Sequence, residues 1–200
     1  MYSPGVFLAF SALTALVSAT PTPVGSAAGC QVSKSPFQIV EVQQRDNHVA
    51  TIQNYSFQQQ IVKGEIQPNL ITNVVLFDMP STATNCQLWA RFGPDLKVVE
   101  DLPYGESLVA RINVTYIDVG ITKLDLTNLP ASVFAFGGDD LGAFDLIAYS
   151  NQFVSTVPCP ESGGALILEF GFDDNFPVSA SATFEQTVST EGLFIQFNNC

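Results

Sequence analysis

An all-β fold, arranged as a β-sandwich or jelly-roll-like barrel, is predicted by three features of the sequence. Aromatic residues make up 11% of the chain, and its 16 Phe recur with β-branched residues in short runs that favour strands. Clusters of Gly, Pro, Asn and Asp separate these runs, as turns separate the strands of a sandwich. No segment keeps an apolar period of 3.6 residues over three turns, which an amphipathic helix would show.

The predicted strands follow one another through most of the chain. Several alternate apolar and polar side chains, which is typical of a strand with one solvated face. In FQIVEVQ the apolar side chains fall on both sides, so both faces of this strand are expected to be partly covered. The predicted strands span residues 37–43, 55–62, 70–79, 86–92, 107–116, 121–126, 132–137, 144–150, 153–157, 165–172, 181–188 and 192–197. Turn-forming segments such as GGDDLG and CPESGG lie between them.

The amino-terminal segment predicts secretion. Residues 6–17 are apolar but too few to span a bilayer, and VSA, ending at Ala19, resembles a signal-peptidase site. We therefore assign residues 1–19 to a signal peptide and residues 20–29, rich in Pro, Gly, Ala, Ser and Thr, to a flexible leader. Residues 30–200 are predicted to form a single β-sandwich domain. No membrane association is expected after signal cleavage, and the protein is expected to be extracellular or associated with a cell wall.

The charge balance excludes two classes of partner. The chain has 19 acidic and 7 basic residues, a net charge of −12, and no Lys or Arg beyond Lys123. Binding to nucleic acid or to an anionic membrane surface requires a basic footprint. Neither nucleic acid nor an anionic membrane is therefore an expected partner.

The chain has four cysteines, and an even number behind a signal peptide predicts two disulfides. Of the three possible connectivities, the favoured one joins Cys30 to Cys200, because chain ends often lie close together. It leaves Cys86 to pair with Cys159, and the other two connectivities stay open. Pro158 and Pro160 cannot donate ladder hydrogen bonds, so they should end a strand and hold Cys159 as a structural cross-link rather than a nucleophile.

Two Asn-x-Ser/Thr sequons predict N-glycosylation at Asn54 and Asn113. If they carry glycans, both positions are expected to face solvent.

The sequence predicts neither catalytic residues nor a cofactor. The one histidine, His48, follows Asp46 in a polar turn-like segment, and no Gly-x-Ser-x-Gly elbow occurs anywhere. Hydrolase triads and histidine-rich metal sites are therefore not expected, and we do not expect an enzyme.

Acidic residues next to turn signals are weak candidates for a calcium site, because Ca²⁺ prefers oxygen ligands. Their spacing matches no EF-hand loop, and turn-forming Asp beside Gly explains them equally well. The candidates are Asp139, Asp140, Asp145, Asp173 and Asp174.

Trp89 follows Cys86 by three residues in a predicted strand. We expect its ring to be in the core or half-buried against the disulfide. A tryptophan on the surface would instead indicate stacking on carbohydrate.

Four local patterns, in their order along the chain, resemble those of a known family. They are Phe77 to Pro80, Cys86 to Trp89, Pro158–Cys159–Pro160, and Gly192 to Ile195. The family is the fungal secreted domain named "ubiquitin-three-binding protein But, C-terminal domain", and the resemblance covers residues 30–200. It implies a β-sandwich in a fungal extracellular or cell-wall context and supplies no catalytic residue. The intracellular partner in the family's name is not carried over to a secreted, disulfide-bonded chain.

The expected function is thus a non-catalytic structural or binding role at the cell surface or cell wall. Expected partners are a cell-wall polysaccharide or another extracellular protein. One alternative is a carbohydrate-binding protein, with or without calcium, in which Tyr104, Trp89 or the loop Asp pairs line a groove. Another is a secreted effector that binds a host protein through an exposed apolar patch.

Overall fold

The computed structural model describes residues 30–43, 48–62, 65–66, 70–101, 108–117, 138–173, 175–187 and 190–199. Every regular element in these ranges is a β-strand, which confirms the predicted all-β class. The strands are β1 (Gln31–Lys34), β2 (Gln38–Gln43), β3 (His48–Ile52), β4 (Asn54–Gln59), β5 (Ile61–Val62), β6 (Glu65–Ile66), β7 (Ile71–Met79), β8 (Thr84–Arg91), β9 (Lys97–Glu100), β10 (Arg111–Tyr116), β11 (Asp139–Asp145), β12 (Asn151–Thr156), β13 (Gly164–Phe172), β14 (Ala180–Glu185) and β15 (Gly192–Asn198).

Two sheets form the sandwich. In the described residues, the smaller sheet has four strands in the order β1-β15-β8-β12. The larger sheet has nine, with the path β11-β10-β13-β7-β4-β14-β9 and β2 and β3 attached through β7. Neighbouring strands pair antiparallel throughout, as in a sandwich built from hairpins and longer crossings.

The larger sheet branches at β7. This strand pairs with β13 from Asn73 to Met79 and with β2 from Ile71 to Leu76. Beyond Asn73, β4 joins β7 through a single register pair, Gln58 with Ile71. The Asn73 side chain adds to this junction, because its Oδ1 accepts from the Ser56 amide at 3.2 Å and its Nδ2 donates to the Ser56 carbonyl. An amide side chain thus supplies the bonds that a backbone ladder would make here.

The main core lies between the sheets and is rich in aromatic rings. Tyr55, Phe57 and Phe184 stack in it, with centroids 4.5–6.2 Å apart. A second apolar cluster lies on the outer face of the larger sheet and includes Val40 and Val42. Because Ile39 belongs to the main core, both faces of β2 are covered, as its sequence predicts.

Cys86 and Cys159 form a disulfide with a Cα–Cα distance of 5.5 Å, as favoured from the sequence. The strand before Cys159 ends at Thr156, ahead of Pro158, and a turn closes where the Gly163 amide donates to the Pro160 carbonyl. Gly163 has φ +73°, and a Cβ there would lie 2.7 Å from the Ser81 amide nitrogen, so only glycine fits this turn without strain. The segment is a structural cross-link, as expected.

None of the described cysteines is a free thiol. Cys200 lies outside the described residues, and the pairing of Cys30 with Cys200 stays a prediction. The signal peptide, the leader and the predicted strands at 121–126 and 132–137 lie outside them too.

One strand prediction is displaced. The sequence predicts a turn at GGDDLG and a strand at 144–150, whereas β11 spans Asp139–Asp145 and residues 146–150 connect it to β12. In the described sheet β11 pairs only with β10, and such an edge strand tolerates Asp and Gly because its polar groups reach solvent.

Candidate functional site

The outer face of the smaller sheet carries the candidate site, and the alternation of β8 positions its central residues. Cys86, Leu88 and Ala90 point into the main core. Successive side chains of a strand point to opposite faces. Gln87, Trp89 and Arg91 therefore project from the outer face, and all three side chains are partly buried.

Register brings two further aromatic residues to Trp89. On one side of β8, Phe194 of β15 lies directly opposite Trp89. On the other side, Phe153 of β12 is its register partner, and the two rings meet edge to face with centroids 5.7 Å apart. The Arg91 guanidinium lies over the Phe194 ring, 5.2 Å from its centroid, in a cation–π arrangement. We call Trp89, Phe153, Phe194 and Arg91 the aromatic face.

The three rings differ in exposure, and this divides their roles. Phe194 is 0% exposed, so its ring supports the others, whereas Phe153 is 51% exposed. Trp89 is half-buried, and its Nε1–H is buried without a hydrogen-bond partner in the described residues. The Trp89 ring is therefore held by its packing contact with the Phe153 ring and not by a hydrogen bond. The exposed ring of Phe153 is the part of the aromatic face that is best placed for a ligand.

Amide side chains surround the aromatic face. Gln31 Nε2 donates to Gln196 Oε1 at 3.0 Å, which joins β1 to β15 on the outer surface. Arg91 Nε donates to Asn151 Oδ1 at 3.2 Å, where β8 pairs with β12. These amides offer both donors and acceptors to a ligand without carrying charge.

The smaller sheet also has an unusual charge pattern. None of its four strands contains Asp or Glu, although the chain has 19 acidic residues. Its charged side chains are two cations, Lys34 and Arg91. The four strands that form the smaller sheet therefore contribute no carboxylate to the aromatic face.

Trp89 is half-buried, as predicted, but it does not pack on the disulfide side. Cys86 lies in the main core, whereas the Trp89 ring contacts Phe153 on the opposite face. The expectation was wrong because three residues along a strand reverse the face. The sequence spacing alone was a sufficient signal to place Trp89 outside.

The structure does not gather the calcium candidates into one site. Asp139 and Asp140 lie in a strand rather than in the predicted loop, and Asp140 Oδ1 accepts from the Gly142 amide. Asp145 forms an ion pair with Arg111 at 2.8 Å, and Asp173 Oδ1 accepts a hydrogen bond from the Asn175 amide. Within the described residues, no three His, Cys, Asp or Glu side chains cluster as metal ligands would. Asp174 lies outside these ranges.

The two sequons differ in environment. Asn54 is exposed at the start of β4, whereas Asn113 is half-buried in the middle of β10. Asn113 lies opposite Ala143 on one side and Gly171 on the other, so its neighbours across the sheet are small.

The remaining polar candidates lie away from the aromatic face. His48 is exposed at the start of β3, opposite Gln43. Asp46 and Tyr104 lie outside the described residues.

Sequence reasoning missed Glu169, a partly buried carboxyl on the outer face of the larger sheet. Burial raises the pKa of Glu169 to about 7, and a hydrogen bond from Thr72 Oγ1, 3.2 Å away, lowers it in part. The polar residue within the apolar run ALILEFGF was the available signal.

In the part of the chain that the structure describes, no helix is long and apolar enough to cross a membrane.

No protein-family model matches the chain, and no curated protein matches its sequence. The resemblance to the fungal But C-terminal domain thus stays a prediction from the four local patterns.

Proposed function

We propose that the protein is a secreted, non-catalytic β-sandwich that binds a neutral polysaccharide through its aromatic face. The observation that carries this proposal is an exposed aromatic ring surrounded by amide side chains on a sheet without carboxylates, in a chain of net charge −12. The apolar C–H faces of sugar rings pack on aromatic rings, while amide and guanidinium groups bond to their hydroxyls. An uncharged glycan fits this chemistry better than an acidic one, because the protein as a whole repels anions.

The proposal includes the extracellular context that the sequence predicts. The signal peptide would direct the chain to secretion, and the fungal cell wall implied by the family resemblance would supply the polysaccharide. Two disulfides, Cys30–Cys200 and Cys86–Cys159, and glycans at Asn54 and Asn113 belong to the same proposal. The disulfide between Cys86 and Cys159 supports it, because such bonds persist in oxidising compartments.

Calcium has no part in the proposed contacts. The aromatic face contains no carboxylate, and the Asp145 side chain is paired with Arg111. We therefore expect EDTA to leave glycan binding unchanged.

Two half-exposed phenylalanines provide a matched test. Phe153 lies on the aromatic face and is 51% exposed, whereas Phe37 lies outside the smaller sheet and is 57% exposed. Binding to β-glucan, chitin and mannan would be measured by co-sedimentation, and the melting temperature with soluble oligomers of each. We expect one glycan to raise the melting temperature of the wild type. Phe153→Ala should weaken that binding about tenfold or more, and Phe37→Ala should not.

The proposal fails if none of these glycans binds. It also fails if Phe153→Ala and Phe37→Ala bind as well as the wild type. Each variant's melting temperature without glycan checks that both fold.

A further inference from the structure

The turn between β11 and β12, which leads directly into the strand that carries Phe153, presents an exposed aromatic ring. Tyr149 in this turn is 80% exposed, the most exposed of the large hydrophobic residues described. Its φ is +60°, in the left-handed region that few residues except Gly, Asn and Asp adopt. An aromatic ring this exposed gains little from burial, and the positive φ adds strain, so folding alone gives no reason for an aromatic side chain at this position.

The turn is held by a dense set of hydrogen bonds. Gln152 clasps Asp145, since its Oε1 accepts from the Asp145 amide at 3.2 Å and its Nε2 donates to the Asp145 carbonyl at 2.7 Å. The same Nε2 lies 2.8 Å from Ser150 Oγ, and the Ser150 carbonyl accepts from the Phe92 amide at 2.9 Å. These bonds hold the residues on either side of Tyr149 against β12 and the end of β8, which carry most of the aromatic face.

Along this part of the chain, three polar residues separate the aromatic residues Tyr149 and Phe153. Phe153 lies opposite Trp89, and Asn151 lies opposite Arg91 at the end of the sheet. Tyr149 precedes Asn151 by two residues, beyond that end. The Cα atoms of Tyr149 and Phe153, four residues apart, are at most about 13 Å apart, a distance that a short oligosaccharide can bridge.

We infer that Tyr149 is a second stacking position, so that the site takes an extended run of sugar units instead of a single terminal sugar. The inference rests on the proposed function and adds the length of the ligand. A chain lying along β12 would stack on Phe153, meet the Arg91–Asn151 pair, and stack again on Tyr149. Because the turn is already ordered, this second contact costs little conformational entropy on binding.

The test compares disaccharides with hexasaccharides of β-glucan, chitin and mannan. Affinities would be measured by calorimetry for the wild type, Tyr149→Ala, Tyr149→Phe and Ile147→Ala. Ile147 is the matched control, since it lies in the same turn and is 46% exposed. We expect Tyr149→Ala to lose about tenfold in affinity for the hexasaccharide and nothing for the disaccharide. Tyr149→Phe should keep most of the hexasaccharide affinity, and Ile147→Ala should match the wild type.

A further variant separates binding from folding. Glycine adopts a positive φ without strain, so Tyr149→Gly should raise the melting temperature of the protein. The same variant should lose affinity for the hexasaccharide to the extent that Tyr149→Ala does.

The failures of the two proposals are distinguishable. If Phe153→Ala weakens binding and Tyr149→Ala binds both oligomers like the wild type, only the inference on Tyr149 is overturned. Equal losses for both lengths in Tyr149→Ala would also overturn it. If the wild type binds no oligomer, the proposed function and the inference fall together.

Discussion

At the scale of single residues, Glu169 couples the stability of the fold to pH. Its carboxyl lies on β13 beside the second apolar cluster, with Val74 and Thr115 as register partners. Burial raises its pKa from 4.5 to about 7, so the folded protein holds this proton where the unfolded chain has released it. Between these two pH values a rise in pH therefore destabilises the fold, and above pH 7 the full penalty is present.

Glu169→Gln should remove this penalty and keep an acceptor for Thr72. We expect the variant to gain on the order of 2–3 kcal/mol in the free energy of unfolding at pH 8, at about 1.4 kcal/mol per pKa unit. At pH 4 the Glu169 carboxyl is largely protonated in the folded and in the unfolded state, so we expect the stabilities of the wild type and the variant to be nearly equal. Urea denaturation at the two pH values measures this, with the exposed Glu161→Gln as control. A gain that is the same at both pH values would show that charge burial is not the cause.

At the scale of elements, one side chain strengthens a junction between two strands. Strand β4 pairs with β7 through one register pair, and the Asn73 side chain adds two hydrogen bonds to the Ser56 backbone. Asn73 is 0% exposed. An apolar residue at this position would leave the amide and the carbonyl of Ser56 without their hydrogen bonds to the Asn73 side chain. Ser56 is partly buried, so water would replace these two hydrogen bonds poorly.

Asn73→Leu is therefore expected to cost about 2–4 kcal/mol, since two hydrogen bonds are lost while the branched shape of the side chain is kept. Asn151→Ala is the control, because it removes one hydrogen bond on an exposed strand and should cost less than about 1 kcal/mol. Chemical denaturation of both variants measures the difference. Similar losses in the two variants would mean that the junction does not depend on Asn73.

Apolar runs bounded by turn residues predicted the interior strands well, because both faces of these strands are largely buried. The predicted 70–79, 165–172 and 192–197 match β7, β13 and β15 to within one residue at each end. Among the strands that were not predicted, β1, β3 and β9 are short and largely polar or exposed, so their pairing depends on neighbouring strands and not on a local sequence pattern. β11 was misplaced because edge strands tolerate turn residues.

The aromatic face was only partly predictable. The odd spacing of Trp89 from Cys86 places the tryptophan outside, but nothing in the sequence joins it to Phe153 and Phe194, which are 64 and 105 residues further on. Their meeting depends on the strand order β15-β8-β12, a property of the whole sheet. No sequence signal singles out Tyr149, because its positive φ is a property of the folded turn.

At the scale of the whole molecule, the two ends of the described chain meet in the smaller sheet. β1 pairs with β15 from Gln31–Asn198 to Lys34–Ile195, and the Asn199 amide donates to the Cys30 carbonyl at 2.9 Å. Cys200 is the next residue after Asn199. This register favours the predicted Cys30–Cys200 bond, which would lock the first strand against the last.

Two double variants test this bond against its internal counterpart. Cys30→Ser with Cys200→Ser should cost about 2–4 kcal/mol in unfolding free energy, and Cys86→Ser with Cys159→Ser a similar amount. The similarity is expected because the entropy of loop closure grows only with the logarithm of loop length, although the outer loop is longer than the internal separation of 73 residues. Peptide mapping without reductant should give one peptide that joins Cys30 to Cys200. A free thiol at Cys200 in the denatured protein, or a Cys30 peptide joined to another cysteine, would refute the Cys30–Cys200 disulfide. Strand β1 would then be held by its backbone pairing to β15 alone.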